Sequence, residues 1–348
     1  MSKWVEYRFS DAIQFDPKVK LKKNEIYPFI GIADLDEDLF YVNENEKLSY
    51  IGQSSSKFKS GDVLFSRITP CLENRKIARV FLISSDRGFG STEFFVFRGK
   101  DGKTTSEFIG YLAQTDLIVL PAINSMTGAS GRQRADKNFI KKLRIKVPDI
   151  ETQIKLVNIL SIYDKLIDNN NSRIDILERS AKEIYKEWFV RMRFPGHDST
   201  YFEKGIPEGW KEVRLEEICT LIRGLSYSTK EIEKNEGVAM LTLKSVKAYG
   251  GYNQDGLKFF DGSIADRHYL EKNDLLMAIT DMTQDRRVIG QVCLVPETDF
   301  DEMIFSADLM LLDKLKIEYG YMYALLRYGG LSEHIATYSN GANVLHLN

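Results

Sequence analysis

WVEYRF at residues 4–9 returns as WKEVRL at residues 210–215, with Trp, Glu and Arg in register, and that echo decides the fold. Further echoes follow in the same order: GDVLF (61–65) as NDLLM (273–277), RKIARV (75–80) as RVIGQV (287–292), GSTEFFVF (90–97) as FSADLMLL (305–312), and SMTGAS (125–130) as YSNGAN (338–343). A period of about 210 residues far exceeds a solenoid unit, so each copy must carry its own core. The first copy runs on beyond Gly128-Ala129 to Phe194, whereas six residues follow Gly341-Ala342. The second copy therefore reads as one without its trailing tail.

Each copy reads as mixed α/β (α+β). Strand-like runs at 63–65, 77–83 and 94–97 precede TTSE (104–107), a capping box for a short helix to about residue 115. In the second copy 275–279, 288–295 and 309–312 are strand-like and 319–327 helix-like. Neither copy shows the βαβ alternation of a Rossmann sheet.

Between the copies, no Gly or Pro interrupts the stretch from Pro148 to Pro195, and proline at both ends is the punctuation of a helix. Its 46 residues would span up to ~69 Å at 1.5 Å each. Leu156, Leu160, Tyr163, Ile167, Asn170, Ile174, Leu177, Ala181, Ile184 and Trp188 alternate spacings of four and three, a heptad seam. A lone Asn in such a seam fixes register at a cost in stability. A helix this long, charged on its other faces, cannot be buried all round, so the seam calls for a partner helix.

Hydrophobic content of 43% supplies core enough for a soluble globular chain, and the longest apolar run, near 117–120, is far too short to span a membrane. The N-terminus lacks an apolar signal region, which points to the cytoplasm. Cys71, Cys219 and Cys293 lie far apart and the four histidines do not cluster, so neither a disulfide framework nor a metal site is spelled out. A net charge of −2 leaves nucleic-acid binding to local charge. RQRADKNFIKKLRIK (132–146) supplies it, with seven Lys/Arg against one Asp.

Catalytic motifs are missing. All eight prolines are isolated, so the Pro-Pro core of an amino-methyltransferase motif is absent, and there is no Walker A sequence or dinucleotide fingerprint. Acid-x-Lys triplets such as Asp101-Gly102-Lys103 arise by chance in so charged a chain. What the copies share is a polar loop after an equivalent strand, SRITPCLENRK (66–76) and ITDMTQDRR (279–287). Arg, Gln and Asn can pair bidentately with purines, and Ser, Thr and Lys suit phosphates. The loops therefore read as a pair of DNA readers.

GDVLFSR (61–67), SMTGASGRQRADKNFIKKLRIKVPDIETQIKLVNILSIYDKLID (125–168) and PEGWKEVRLEEI (207–218) together resemble the DNA-specificity subunit of type I restriction-modification systems, over essentially the whole chain. The resemblance implies a non-catalytic subunit with two target-recognition domains, each reading half of a split site in double-stranded DNA. It further implies two antiparallel helices that separate the domains and dock methyltransferase (modification) subunits, and a restriction subunit joining through the complex. Adenosylmethionine, ATP and Mg would belong to those partners; this chain needs no cofactor and no metal. On this reading residues 1–146 are the first target-recognition domain, 147–194 the long conserved coiled-coil spacer helix, and 195–348 the second domain, its trailing helix missing.

The residues expected at DNA are Ser66, Arg67, Thr69, Asn74, Arg75 and Lys76, then Ser130, Arg132, Gln133 and Arg134, with Lys141 and Lys142 at phosphates. In the second copy they are Arg223, Thr280, Gln284, Arg286 and Arg287. With its second helix missing, the exposed seam is expected to drive self-association. The alternatives are a truncated or silent cassette acting only as a coiled-coil interaction module, and a solitary nuclease or methyltransferase.

Overall fold

The computed structural model describes residues 4–37, 39–129, 131–233, 236–342 and 344–347. It divides into two compact units, Met1–Ser172 and Arg173–Asn348.

The first unit is built on a five-stranded sheet ordered Ile13–Phe15, Phe94–Gly99, Val63–Ser66, Ile77–Phe81, Tyr41–Asn43. Side chains alternate across a strand, and both faces of this sheet are covered. Val63, Phe65, Ile77, Phe95 and Phe97 point to a core shared with Phe108, Ile109, Leu112 and Ile118 of the helices Ser106–Gln114 and Asp116–Asn124. Leu64, Ala78, Val80, Phe94 and Val96 point the other way, to Ile30 and Phe58 of a second sheet. That sheet runs Glu46–Tyr50, Glu25–Ile30, Arg87–Gly90, Ser56–Lys59, with Glu25–Ile30 and Arg87–Gly90 parallel. The layers are thus helix, sheet, sheet.

The second unit repeats the plan. Its central sheet runs Thr220–Arg223, Leu309–Asp313, Leu275–Ala278, Val292–Leu294. Leu275 and Met277 face a helical core with Met322 and Leu326 of Tyr319–Tyr328, while Leu276 and Ala278 face the other sheet through Leu241 and Phe305. The parallel pair recurs as Val238–Leu241 beside Met303–Phe305.

Three local expectations are corrected. Ile77 lies opposite Phe65, and the residue opposite the equivalent Met277 is Val292, so RVIGQV (287–292) is three residues out of step with RKIARV. Residues 288–291 form a turn instead of strand, because Asp281 accepts hydrogen bonds from the Val288 and Ile289 amides and Gly290 takes φ +79°. The helix near TTSE is capped by Thr105, whose side chain accepts from the Phe108 amide, while Thr104 donates to the Ala12 carbonyl and Glu107 pairs with Arg79. The echoed WVEYRF and WKEVRL also differ in structure: Val5–Arg8 is a strand because Arg144–Val147 pairs with it, whereas residues 211–214 form no strand among the described residues.

The long helix runs Ile150–Tyr185, 36 residues or ~54 Å, and continues as a π-helical turn over Lys186–Val190. This is shorter than the prolines allowed, because Met192 at φ +57° turns the chain before Pro195 is reached. The helix starts where the Asp149 carboxylate accepts from the Thr152 amide at 2.8 Å. Gln153, fully buried, fastens the first turn to the first unit by donating to the Lys103 and Pro148 carbonyls and accepting from the Thr105 amide. Near its other end, within the second unit, Glu178 pairs with Arg327 at 2.7 Å and Tyr185 is buried. Every residue from 165 to 184 is exposed, and so are all ten seam residues from Leu156 to Trp188.

Candidate nucleic-acid interface

In the first unit two sets of expected residues, far apart in sequence, meet. The loop after Val63–Ser66 is closed by the buried Ser66 hydroxyl, which donates to the Lys76 carbonyl. Thr69 is zipped to Gln133: its amide donates to the Gln133 carbonyl at 3.0 Å, and its hydroxyl oxygen accepts from the Gln133 amide at 3.1 Å. The Ala135 amide donates to the Arg67 carbonyl at 2.8 Å. Arg67, Thr69, Gln133 and Arg134 thereby form one surface.

Glu93 organises it. Its carboxylate accepts from Arg134 at 2.6 Å and from Arg67 at 3.2 Å, holding two guanidinium groups side by side. The Arg134 hydrogen bonds outweigh partial burial and, with the one from Arg67, hold the Glu93 carboxyl below the usual carboxylate range. Arg67 also lies over the Phe95 ring, 5.4 Å from its centre. Arg132 is exposed beside this cluster, and Ser130 lies outside the described residues.

The rest of the 66–76 loop is engaged within the protein. Asn74 donates to Glu37 at 2.8 Å, and Arg75 donates to the Gln114 carbonyl at 2.6 Å and pairs with Asp116. Lys76 borders a hollow lined by Asp34, Asp36 and Glu37. In the helix Lys137–Lys142, capped by Asp136, Lys141 stands 5.3 Å from the Phe15 ring centre and Lys142 is exposed.

The second unit holds its equivalent loop by another device. Buried Asp281 is the hub: burial pushes its carboxyl up, but hydrogen bonds from the Thr283, Val288 and Ile289 amides and the Thr283 hydroxyl overcome this and leave it below the usual range. Winding the loop around Asp281 leaves Arg286, at φ +54°, and Arg287 exposed, the latter 3.2 Å from Asp285. Gln284 donates to the Ala342 carbonyl at 3.0 Å and Arg223 to the Ala307 carbonyl at 3.2 Å. Thr280 is buried and donates to Asp308. The zipper recurs too: Thr280–Asp281 pairs with Leu345–His346, and the bridge Asn340↔His346 answers Thr127↔Arg134.

Sequence reasoning missed Glu93, which entered only as one letter of the GSTEFFVF echo ahead of the strand-like run at 94–97, and the lysines of KVKLKK (18–23), a basic run that was open to view. Among the described residues no group of His, Cys, Asp and Glu could hold a metal ion, and no helix is long and apolar enough to cross a membrane.

The family described as "Type I restriction modification DNA specificity domain" matches residues 1–179. The chain belongs to that family. The MjaIX specificity subunit of a type I restriction enzyme of Methanocaldococcus jannaschii is 31% identical over 137 residues, covering 38% of this chain and 31% of that protein. The MjaVIII specificity subunit of the same organism is 26% identical over 216 residues, covering 58% of this chain and 49% of that protein. The chain thus spans about half or less of the length of these relatives. A crystal structure of the S subunit of the type I restriction-modification system from M. genitalium covers 97% of this chain and 79% of that one, with a TM-score of 0.52 at 16% identity. That likeness is one of fold: two β-rich regions flanking a long helix.

Proposed function

We propose that this chain is the sequence-specific DNA-recognition subunit of a type I restriction-modification complex, working in the cytoplasm and non-catalytic itself. The first unit reads one half of a bipartite site through Arg67, Gln133 and Arg134 with Arg132, and the second reads the other half through Gln284, Arg286 and Arg287. The long helix docks methyltransferase subunits, a restriction subunit joins through the complex, and adenosylmethionine, ATP and Mg are the partners' cofactors. The domain limits 1–146, 147–194 and 195–348 belong to this reading.

The observation that carries it is the duplicated loop. In both units the polar segment after the same strand is zipped to the segment that follows Gly-Ala, and a merely decorative surface loop has no reason to recur so. Each Arg that reaches guanine bidentately would add about 1–3 kcal/mol of discrimination. The test is selection of duplexes from a random library by the chain with its methyltransferase. Enrichment of two short blocks separated by a fixed unspecified spacer supports the reading; enrichment of nothing, or of one uninterrupted block, sinks it.

A second reading, self-association, rests on the exposed helix seam. Burying each such side chain is worth roughly 1.5–3 kcal/mol, and two copies pairing antiparallel across Asn170 would share an isologous interface.

A further inference from the structure

Beside the reader loop of the first unit lies an open cleft of about 600 Å³, lined by Lys18, Lys20, Lys57, Arg67 and Lys137 with Asp16 as the single acidic group. It adjoins a second cavity of about 850 Å³ that shares Val19, Lys20 and Lys57 and adds Lys22 and Arg87, each paired with an acid of the same lining, Glu25 at 3.3 Å and Asp86 at 3.0 Å. Shared walls make the two one continuous groove along the unit.

The cations divide into two kinds. Arg67 and Lys137 are fixed: Arg67 pairs with Glu93 and covers Phe95, while Lys137 pairs with Asp16 at 2.5 Å and stands 5.4 Å from the Phe15 ring centre. Lys18 and Lys20 are exposed and form no ion pair among the described residues; Lys57, which likewise has none, lies 5.1 Å from the Tyr50 ring centre. Their positions are set by rigid neighbours. Val19 between the first two is buried, the Lys20 carbonyl accepts from Arg87, and Lys57 sits on the Ser56–Lys59 strand. Ser54 and Thr92 add hydroxyls to the same wall.

We infer that this groove holds the phosphodiester backbone of one DNA strand, with Lys18, Lys20 and Lys57 as its phosphate contacts. The inference rests on the reading of this unit as a DNA reader and adds where the backbone runs. Lysines and hydroxyls are the groups that hold phosphates without reading sequence. Unpaired ammonium groups lining one groove favour a polyanion over a single ion. Arg67 belongs both to the groove and to the Glu93 cluster, so a strand lying in the groove passes directly beside the base-reading loop.

The test replaces Lys18, Lys20 and Lys57 by Ala in the full chain and follows binding to matched and random duplexes as salt rises. A control removes Lys155, Lys165 and Lys182 from the helix, which costs the same charge. Each lost phosphate contact lowers the slope of log K against log salt by about 0.9. We expect the groove variant to lose between about two and three units of slope, equally on matched and random DNA, with unchanged melting temperature and unchanged choice of site. The control should keep the parent slope. A parent that binds DNA while the groove variant matches its slope overturns the groove alone, as does an equal loss in the control. A parent that binds no DNA overturns the groove and the DNA reading together.

Discussion

Two arginines from segments far apart in sequence converge on Glu93, and the charge that gathers them is titratable. Its folded-state pKa lies below the usual carboxylate value, so the stabilisation is present at neutral pH and disappears as pH falls through that lowered value. Glu93→Gln should therefore melt slightly below the parent at pH 7, by about 1 kcal/mol or less for so solvent-accessible a pair. The two proteins should converge in melting temperature as pH drops below about 4, near where an ordinary carboxylate protonates. A gap that stays constant from pH 7 to pH 3 would assign the effect to packing instead. Asp62 is a harsher case. It is buried, accepts both guanidinium hydrogen bonds of Arg98 at 2.6 and 2.7 Å, and accepts from the Lys59 amide. Asp62→Ala strands a half-buried cation and should cost about 3 kcal/mol in denaturant unfolding; a loss below about 1 kcal/mol would refute that account. Arg75 shows what composition alone leaves out: a side chain that suits guanine also donates to the Gln114 carbonyl and pairs with Asp116, partners some forty positions away that no local pattern announces.

Strands and helices were legible where the signal is local. The runs around Val63, Phe94, Leu275 and Leu309 became central strands because their apolar side chains feed two cores at once. Pairing was less legible. Val5–Arg8 owes its strand to Arg144–Val147, and identity of Arg and Ile in RVIGQV masked a three-residue slip that Asp281 and Gly290 impose. The long helix was legible directly, since the 3-and-4 spacing and the freedom from Gly and Pro are properties of the segment itself. With ten seam positions exposed, Leu160→Lys with Ile174→Lys should abolish association of the chain in light scattering at tens of micromolar, on the order of concentrations where a modest coiled coil pairs. A parent that is monomeric under those conditions refutes pairing through this face. Ile174→Pro should remove at least ~3 kcal/mol of helix stability, lower helical ellipticity, and release a co-purifying methyltransferase. Retention of that partner would place docking elsewhere.

At the scale of the whole chain, the repeat was the most legible feature and the differing supports of its two loops the least, because Glu93 in one and Asp281 in the other act through contacts rather than through pattern. The long helix is fastened at its first turn by Gln153 and near its last by Glu178 and Tyr185, while residues 165–184 have no buried side chain. A helix without tertiary cover opens easily. Trypsin should therefore cut first at Arg173, Arg179 or Lys182, releasing two fragments that stay folded, and a partner on the seam should slow the cut. First cleavage inside either sheet would contradict this. The same bare stretch has a hereditary meaning. On the proposed reading, an in-frame crossover between two such genes within codons 165–177, ahead of the Glu178–Arg327 pair, would join one intact core to another, so new pairings of half-site readers would arise without a misfolded intermediate. Selection would then act on phase: a join that gains or loses residues in anything but whole heptads turns the seam by about 100° per residue, and the offspring protein would keep the proposed readers while losing the proposed dock.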